Sequence, residues 1–189
     1  MIMSMYRKIC VTNRHLAERP FLEQLERVLA TKPYAMILRE KDLEAMDYEL
    51  LAAEVIKLCQ NTDTKLILHS FPDVAMRLGH TCIHMPLHLF TEMPEDQKQE
   101  FSVRGVSVHS VEDALLAEQS GATYLTAGHV FATDCKKGLA PRGLDFLQAV
   151  CAAVQIPVYA IGGINDRNAQ DCIRAGAAGV CIMSGYMKS

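Results

Sequence analysis

The sequence predicts a (β/α)8 TIM barrel, an α/β fold, with the last helix short or absent. Apolar, β-branched runs recur at intervals of about 20 to 25 residues, and segments with helical periodicity separate them. This alternation is typical of βαβ units and a parallel sheet. Because no GxGxxG motif follows the first run, we favour a closed barrel over an open, doubly wound sheet.

The eight predicted strands are short and apolar, and the fourth has the weakest pattern. They are Lys8–Thr12, Tyr34–Leu38, Lys65–His69, Cys82–His84, Gly105–Val108, Tyr124–Ala127, Val158–Ile161 and Gly179–Met183.

The segments between the strands carry apolar residues at the i, i+3, i+4 spacing of a helix that packs on one face. The predicted helices are Phe21–Leu29, Tyr48–Cys59, Val111–Gln119, Leu144–Ala153 and Asn165–Ala175, with a shorter candidate at Asp73–Leu78. The segment Glu92–Phe101 is polar and only weakly helical. Glycines end several of these helices, as at Ser120-Gly121 and Ala175-Gly176.

Length and composition predict one soluble domain over residues 1–189. Half of the residues are hydrophobic and 22% are charged, which excludes a disordered chain, and no apolar stretch approaches the length of a membrane span. The net charge of -3 forms no basic stripe, so we expect no nucleic-acid partner. The first residues do not resemble a signal peptide, which favours the cytoplasm. Since the chain ends soon after the eighth strand, a homodimer is a possible cover for that wall.

The cysteines and histidines do not indicate a metal site. Seven cysteines form no CxxC pair and lie in apolar runs, as buried thiols do. His84 and His88 are four residues apart, but Pro86 prevents the helix that would align them. The spacing of these residues therefore predicts no metal site.

In a TIM barrel the active site lies at the carboxyl ends of the strands, and several polar residues occur there. Arg39 and Lys41 alternate with their neighbours after the second strand, so both face one side and form a candidate anion clamp. An ordinary surface salt-bridge pair is the alternative. Ser107 and His109 end the fifth strand.

Two glycine-containing turns after the last two strands have the form of a phosphate site. Gly162-Gly163 precedes the predicted helix at Asn165, and Met183-Ser184 follows the eighth strand. Glycine lets the backbone approach an anion, and amides at a helix start point toward it. A tight turn with no ligand is the alternative.

The polar segment from Gly128 to Gly138 follows the sixth strand and is a candidate catalytic loop. His129 lies next to the strand end, and imidazole can accept and donate a proton near neutral pH. A surface or hydrogen-bonded core histidine is the alternative. Cys135 beside Lys136 is a weaker candidate nucleophile, since no base partner is evident.

These motifs resemble the thiamine phosphate synthase and TenI superfamily of (β/α)8 barrels over nearly the whole chain. The matching segments are Leu38–Asp42, Gly105–Ser110, Gly128–Gly138, Ala160–Ile164 and Met183–Gly185. The loop from Gly128 to Gly138, followed by Arg142-Gly143, is most similar to the TenI-like thiazole tautomerases, since the synthases typically carry proline where this chain has His129.

The resemblance implies a thiazole tautomerase that aromatises a carboxythiazole phosphate without a cofactor. His129 is then the acid and base, and the thiazole phosphate is the small-molecule partner. The implied substrate-binding residues are Arg39, Lys41, Ser107, His109, Thr133, Lys136, Gly162, Gly163, Met183 and Ser184. Arg39 is the favoured partner of the substrate carboxylate because guanidinium forks match carboxylates.

Two alternatives stay open. A thiamine phosphate synthase would join thiazole phosphate to hydroxymethylpyrimidine pyrophosphate with Mg²⁺. The synthases typically have Gln at the position of Ile37 and Asn-Asp at His69-Ser70, together with an Asp after the fourth strand. Magnesium requires such oxygen ligands, so these departures argue against a synthase. The other alternative is a binder or regulator without catalysis.

Overall fold

Eight parallel strands close into a barrel in which each strand pairs with the next, and the last pairs with the first. A computed structural model describes residues 6–134 and 138–189. The strands are β1 (Arg7–Val11), β2 (Ala35–Leu38), β3 (Lys65–His69), β4 (Cys82–Pro86), β5 (Val103–Val108), β6 (Tyr124–Gly128), β7 (Val158–Ile161) and β8 (Gly179–Ile182). The TIM barrel predicted from the sequence is confirmed, and all eight predicted strands lie within two residues of the observed ones.

The helices cover the outside of the barrel. They are α1 (Phe21–Ala30), α2 (Ala45–Cys59), α3 (Pro72–Arg77), α4 (Leu87–Glu92), α5 (Glu95–Gln99), α6 (Val111–Gln119), α7 (Gly143–Ala153), α8 (Ala169–Arg174) and α9 (Ser184–Met187). The last helix is short, as predicted. In the part of the chain that the structure describes, no helix is both long and apolar enough to cross a bilayer.

Helix α8 begins at Ala169, so the predicted start at Asn165 is wrong. The amide of Asn165 donates to Oδ1 of Asn168 at 2.9 Å, and the amide of Arg167 donates to Oδ1 of Asn165 at the same distance. These side chains hold turns across residues 165–168, because asparagine competes for backbone groups that a helix would use. The turn after β7 therefore does not run directly into a helix.

Alternate strand residues face the barrel axis, since side chains on a strand alternate between its two sides. Many of these residues are apolar and form a cluster that includes Ile9, Ile37, Ile67 and Cys181. Toward the carboxyl ends of β3 to β6 the inward positions are instead His69, His84, Ser107 and Thr126. The barrel interior is therefore polar near the carboxyl ends of these four strands.

Candidate functional site

A cavity of about 1330 Å³ opens at the carboxyl ends of the strands. Every predicted site residue that the structure describes lines it: Arg39, Lys41, Ser107, His109, His129, Thr133, Gly162, Gly163, Met183 and Ser184. Lys136 and Cys135 lie outside the described residues. Because single small-molecule sites commonly measure about 300–1,000 Å³, the cavity has room for more than one ligand. The roles of these residues in binding stay predictions.

The loop after β2 places two cationic side chains at the cavity and a carboxylate behind them. Arg39 and Lys41 line the cavity, whereas Glu40 is buried and accepts a hydrogen bond from Oγ1 of Thr12 at 2.7 Å. Glu40 also accepts from the backbone amide and the guanidinium of Arg14. The alternation expected from the sequence is therefore present, and Glu40 joins the loops after β1 and β2.

Two stacked histidines lie at the base of the cavity: His69 lines it, and His84 is buried beside His69. The rings of His69 and His84 lie 5.6 Å apart between centroids, and Nδ1 of His69 is 2.7 Å from Oγ of Ser70. Burial, followed by the nearby His84, Arg39 and Lys41, holds the pKa of His69 well below its usual value. Burial lowers the pKa of His84 to about 3. Both rings are therefore neutral near pH 7 and add no charge to the floor.

Residues of three neighbouring strands form a hydrogen-bonded cluster around His84. Its Nδ1 is 2.8 Å from the hydroxyl of Tyr124, and its Nε2 is 2.8 Å from Oγ of Ser107. Oγ1 of Thr126 donates to Oγ of Ser107 at 3.3 Å. The cluster fits because β5 has Gly105 at this level, where a Cβ would stand 2.1 Å from the Tyr124 ring.

Two further histidines meet near the end of β6: His109, which follows β5, and His129, which follows β6. Nδ1 of His109 is 2.8 Å from the carbonyl oxygen of Gly128, so His109 donates to it in the tautomer that carries a proton on Nδ1. Nε2 of His129 is 3.4 Å from the carbonyl oxygen of Leu139, a long contact that leaves the imidazole weakly held. His129 is buried but lines the cavity.

The glycine pair after β7 is required by packing against the loop that contains His129. The backbone φ angles are +100° at Gly162 and +67° at Gly163, in the region that favours glycine. The amides of Val130 and Phe131 donate to the carbonyl oxygens of Ile161 and Gly162. Within residues 6–134 and 138–189, the amides of Gly162 and Gly163 bond no backbone acceptor. These amides are therefore suited to an anion, although no helix start supports them.

The carboxylates at the cavity do not form a magnesium site. Asp113 accepts the amide of His109 at 2.9 Å, and Asp166 pairs with Lys8 at 2.7 Å. Among the described residues, no three His, Cys, Asp or Glu side chains are grouped so that they could hold a metal ion. The hard oxygen ligands that Mg²⁺ needs are also missing at His69-Ser70. The residues present therefore do not fit the Mg²⁺ that the synthases use.

The sequence did not predict a role in the site for three residues: the buried His84 and its partners Tyr124 and Thr126. Their signal is their position, because each is a polar or partly polar residue at an inward position of an otherwise apolar strand. His84 stands among the polar residues at the strand ends in the sequence, but its pairing with Tyr124 and Ser107 depends on contacts between strands.

Comparisons with known proteins agree on one family. A sequence model of the family described as thiamine monophosphate synthase matches residues 9–186. The thiamine-phosphate synthase of Clostridium acetobutylicum is 32% identical over 97% of this chain and 88% of its own length. A putative thiamine-phosphate synthase 2 of Aquifex aeolicus is 32% identical over 98% of this chain and its full length. The solved structure of thiamine phosphate pyrophosphorylase from Pyrococcus furiosus superposes with a TM-score of 0.84, at 29% identity, over 97% of this chain and 88% of that one.

These findings correct the function expected from the loop at His129. The similar proteins are named thiamine-phosphate synthases, not thiazole tautomerases, at about 30% identity over most of the chain. The tautomerase prediction was wrong because it gave one loop more weight than the rest of the barrel. With it, the proton transfer assigned to His129 loses its basis.

Proposed function

Because the chain belongs to the thiamine monophosphate synthase family, we propose that it is a thiamine-phosphate synthase. In this reaction a thiazole phosphate and a hydroxymethylpyrimidine diphosphate are joined. The ring nitrogen of the thiazole forms a bond to the methylene carbon of the pyrimidine, the bond from that carbon to the diphosphate oxygen breaks, and diphosphate leaves with the bonding electrons.

The observation that carries the proposal is one cavity that has room for two ligands and whose lining offers two kinds of group suited to anions. Arg39 and Lys41 supply cationic side chains, and the turns at Gly162, Gly163 and Ser184 supply backbone. A reaction between a phosphate ester and a diphosphate ester needs both. The more negative diphosphate suits the cationic side chains, and the monophosphate suits the backbone amides.

The neutral floor suits the uncharged rings of the two substrates. His69 and His84 carry no charge near pH 7, and Ser107 and Thr126 offer hydroxyl groups. Binding the phosphates away from the reacting atoms lets their binding energy orient the rings. His129 and His109 border the same space and are proposed ligand contacts, together with Thr133 and Met183.

The charge of the leaving diphosphate is then met by side chains of this chain, since the carboxylates do not fit a metal. A guanidinium can make two parallel hydrogen bonds to a phosphate group, and an ammonium adds a point charge. We therefore assign Arg39 and Lys41 to the diphosphate.

The test is to mix the purified protein with both substrates and to follow thiamine phosphate by chromatography, with added MgCl2 and with EDTA. Product formation that depends on the protein supports the synthase. No product under either condition, from a protein that binds both substrates by calorimetry, overturns it.

Arg39→Ala and Lys41→Ala should each weaken diphosphate affinity about tenfold, because each removes a charge-assisted contact. Arg27→Ala is the matched control, since Arg27 is exposed on α1, away from the cavity. Equal affinity in Arg39→Ala and the control would contradict the role of Arg39.

A binder without catalysis is the second candidate, and one observation favours it. The described residues lack the carboxylate cluster that a metal-dependent synthase uses. Such a protein would bind both phosphate esters in the assay above and form no thiamine phosphate.

A further inference from the structure

The geometry of the cluster around His84 determines which group donates and which accepts in its hydrogen bonds. A neutral imidazole has one nitrogen that donates and one that accepts. His84 has a hydroxyl 2.8 Å from each nitrogen: Tyr124 at Nδ1 and Ser107 at Nε2. The hydroxyl of Thr126 is a longer contact, 3.4 Å from Nε2. Two arrangements are therefore possible, and they differ in which hydroxyl donates to the ring.

In the first arrangement Tyr124 donates to Nδ1, and the Nε2–H group donates to Ser107. In the second, Ser107 donates to Nε2, and the Nδ1–H group donates to the oxygen of Tyr124. The second leaves the hydroxyl hydrogen of the buried Tyr124 without an acceptor, because no other hydrogen bond of this group exists among the described residues. A buried donor without a partner is costly, so the first arrangement is favoured.

The first arrangement also determines which hydrogen-bonding capacity of the Ser107 hydroxyl remains for a ligand. Its oxygen accepts from Nε2–H of His84 and from Oγ1 of Thr126, at 2.8 and 3.3 Å. These two bonds occupy both acceptor positions of a hydroxyl oxygen. The hydroxyl hydrogen remains, and Ser107 lines the cavity.

We infer that Tyr124 and His84 are positioning residues that turn Ser107 into a hydrogen-bond donor for an acceptor atom of the bound phosphate ester. The inference rests on the proposed function, which places the ligands in this cavity. His84 acts here through its tautomer and not as a base. Its low pKa supports this, since such a ring cannot hold a proton from Ser107 at neutral pH.

Gly105 supports the inference independently. A Cβ at this position would stand 2.3 Å from the hydroxyl oxygen of Tyr124 and 2.4 Å from Nδ1 of His84. The hydrogen bond between these two groups therefore passes directly over Gly105. Only glycine at this position of β5 leaves space for the bond.

The first measurement is the tautomer of His84 in the free protein, from long-range 1H–15N correlation spectra. The inference predicts the Nε2–H tautomer, and finding the Nδ1–H tautomer would overturn it. This readout needs neither ligand nor turnover, so it is independent of whether the chain is a synthase.

The second measurement is the affinity for thiazole phosphate and, separately, for inorganic diphosphate, by calorimetry. Ser107→Ala and Tyr124→Phe should each weaken binding of at least one probe about three- to tenfold. If Tyr124 acts through Ser107, the double variant should bind like Ser107→Ala alone. Additive losses, or unchanged binding of both probes in Ser107→Ala, would overturn the inference.

Tyr159→Phe is the matched control, because it also removes a phenol hydroxyl from the barrel interior. Its ring packs edge-on against Tyr124, but its hydroxyl accepts from Arg7 and does not contact His84. We expect less than a twofold change in affinity. If the synthase proposal fails, no thiamine phosphate forms although both probes bind, a result distinct from a failure of the positioning role.

Discussion

Gly162 lies against His129 so closely that the turn after β7 and the loop after β6 form one unit. A Cβ on Gly162 would be 2.3 Å from Cβ of His129 and 2.7 Å from its Cα. The phosphate turn and the loop at His129 are therefore mechanically coupled. A change that moves one must move the other.

Gly162→Ala should displace the loop at His129 and weaken phosphate binding. The new methyl group would overpack the contact with His129 and lower the free energy of unfolding by about 1–3 kcal/mol. A side chain at positive φ would lower it by about 1 kcal/mol more. Gly121→Ala is the control, since Gly121 has a φ of +93° with no atom within 4 Å of a new Cβ. Urea unfolding and phosphate titration measure both effects. Equal stability of the two variants would contradict the coupling.

Glu40→Gln should destabilise the loops at the β1 and β2 ends. The buried carboxylate accepts bonds from Thr12 and Arg14, and the neutral amide would replace one acceptor oxygen with a donor. We expect a loss of about 1–3 kcal/mol in the free energy of unfolding. Asp42→Asn is the control, because Asp42 pairs with the same Arg14 but is exposed. Asp42→Asn should lower the free energy of unfolding by less than Glu40→Gln does, and a larger decrease in Asp42→Asn would refute the role of Glu40.

Tyr48→Phe should loosen the cavity floor. The hydroxyl of Tyr48 donates to the carbonyl oxygen of Leu38 at 2.6 Å and accepts the amide of His69 at 2.8 Å, so it joins the ends of β2 and β3. Its loss leaves a buried amide unpaired, at a cost of about 1–3 kcal/mol. Thermal unfolding, with the partly exposed Tyr34→Phe as the reference, would test this. Similar melting temperatures for the two variants would contradict it.

The fold was predictable because each strand of the barrel is a local apolar run, and strand ends follow directly from such runs. The residues at these ends, such as Arg39, Ser107 and Gly162, were therefore placed at one cavity from sequence alone. Contacts between residues far apart in the sequence could not be predicted in this way. The pair His84–Tyr124 spans 40 positions and requires the register of three strands.

Function was harder to predict than fold. The residue at position 129 suggested a tautomerase, whereas relatives over most of the chain are named synthases. His129 is a single loop residue and indicates only local chemistry, whereas the similarity to the synthases extends over most of the barrel. The predicted helix start at Asn165 was wrong because the side chains of Asn168 and Asn165 accept from the backbone amides of Asn165 and Arg167 in a turn.

Stability should fall as the solution is acidified below about pH 6.5, because two buried histidines resist protonation. Burial lowers the pKa of His84 to about 3 and that of His69 well below its usual value. Below the unfolded pKa of about 6.5, the unfolded chain binds protons that the folded protein does not. The stability present at neutral pH is therefore lost as the pH falls from this value toward the folded pKa.

Between pH 6.5 and 5 we expect His84 alone to contribute a loss of about 1.5 kcal/mol in unfolding free energy, because few carboxylates titrate in the unfolded chain in this window. His69 and the half-buried His80, whose pKa burial also lowers, should add to this loss in the same direction. Urea unfolding at several pH values measures it. His84→Gln should reduce the loss across this window by about 1.5 kcal/mol, whereas the exposed His88→Gln should retain it. A wild-type stability that stays constant across this window would show that His69 and His84 protonate as freely in the folded barrel as in the unfolded chain.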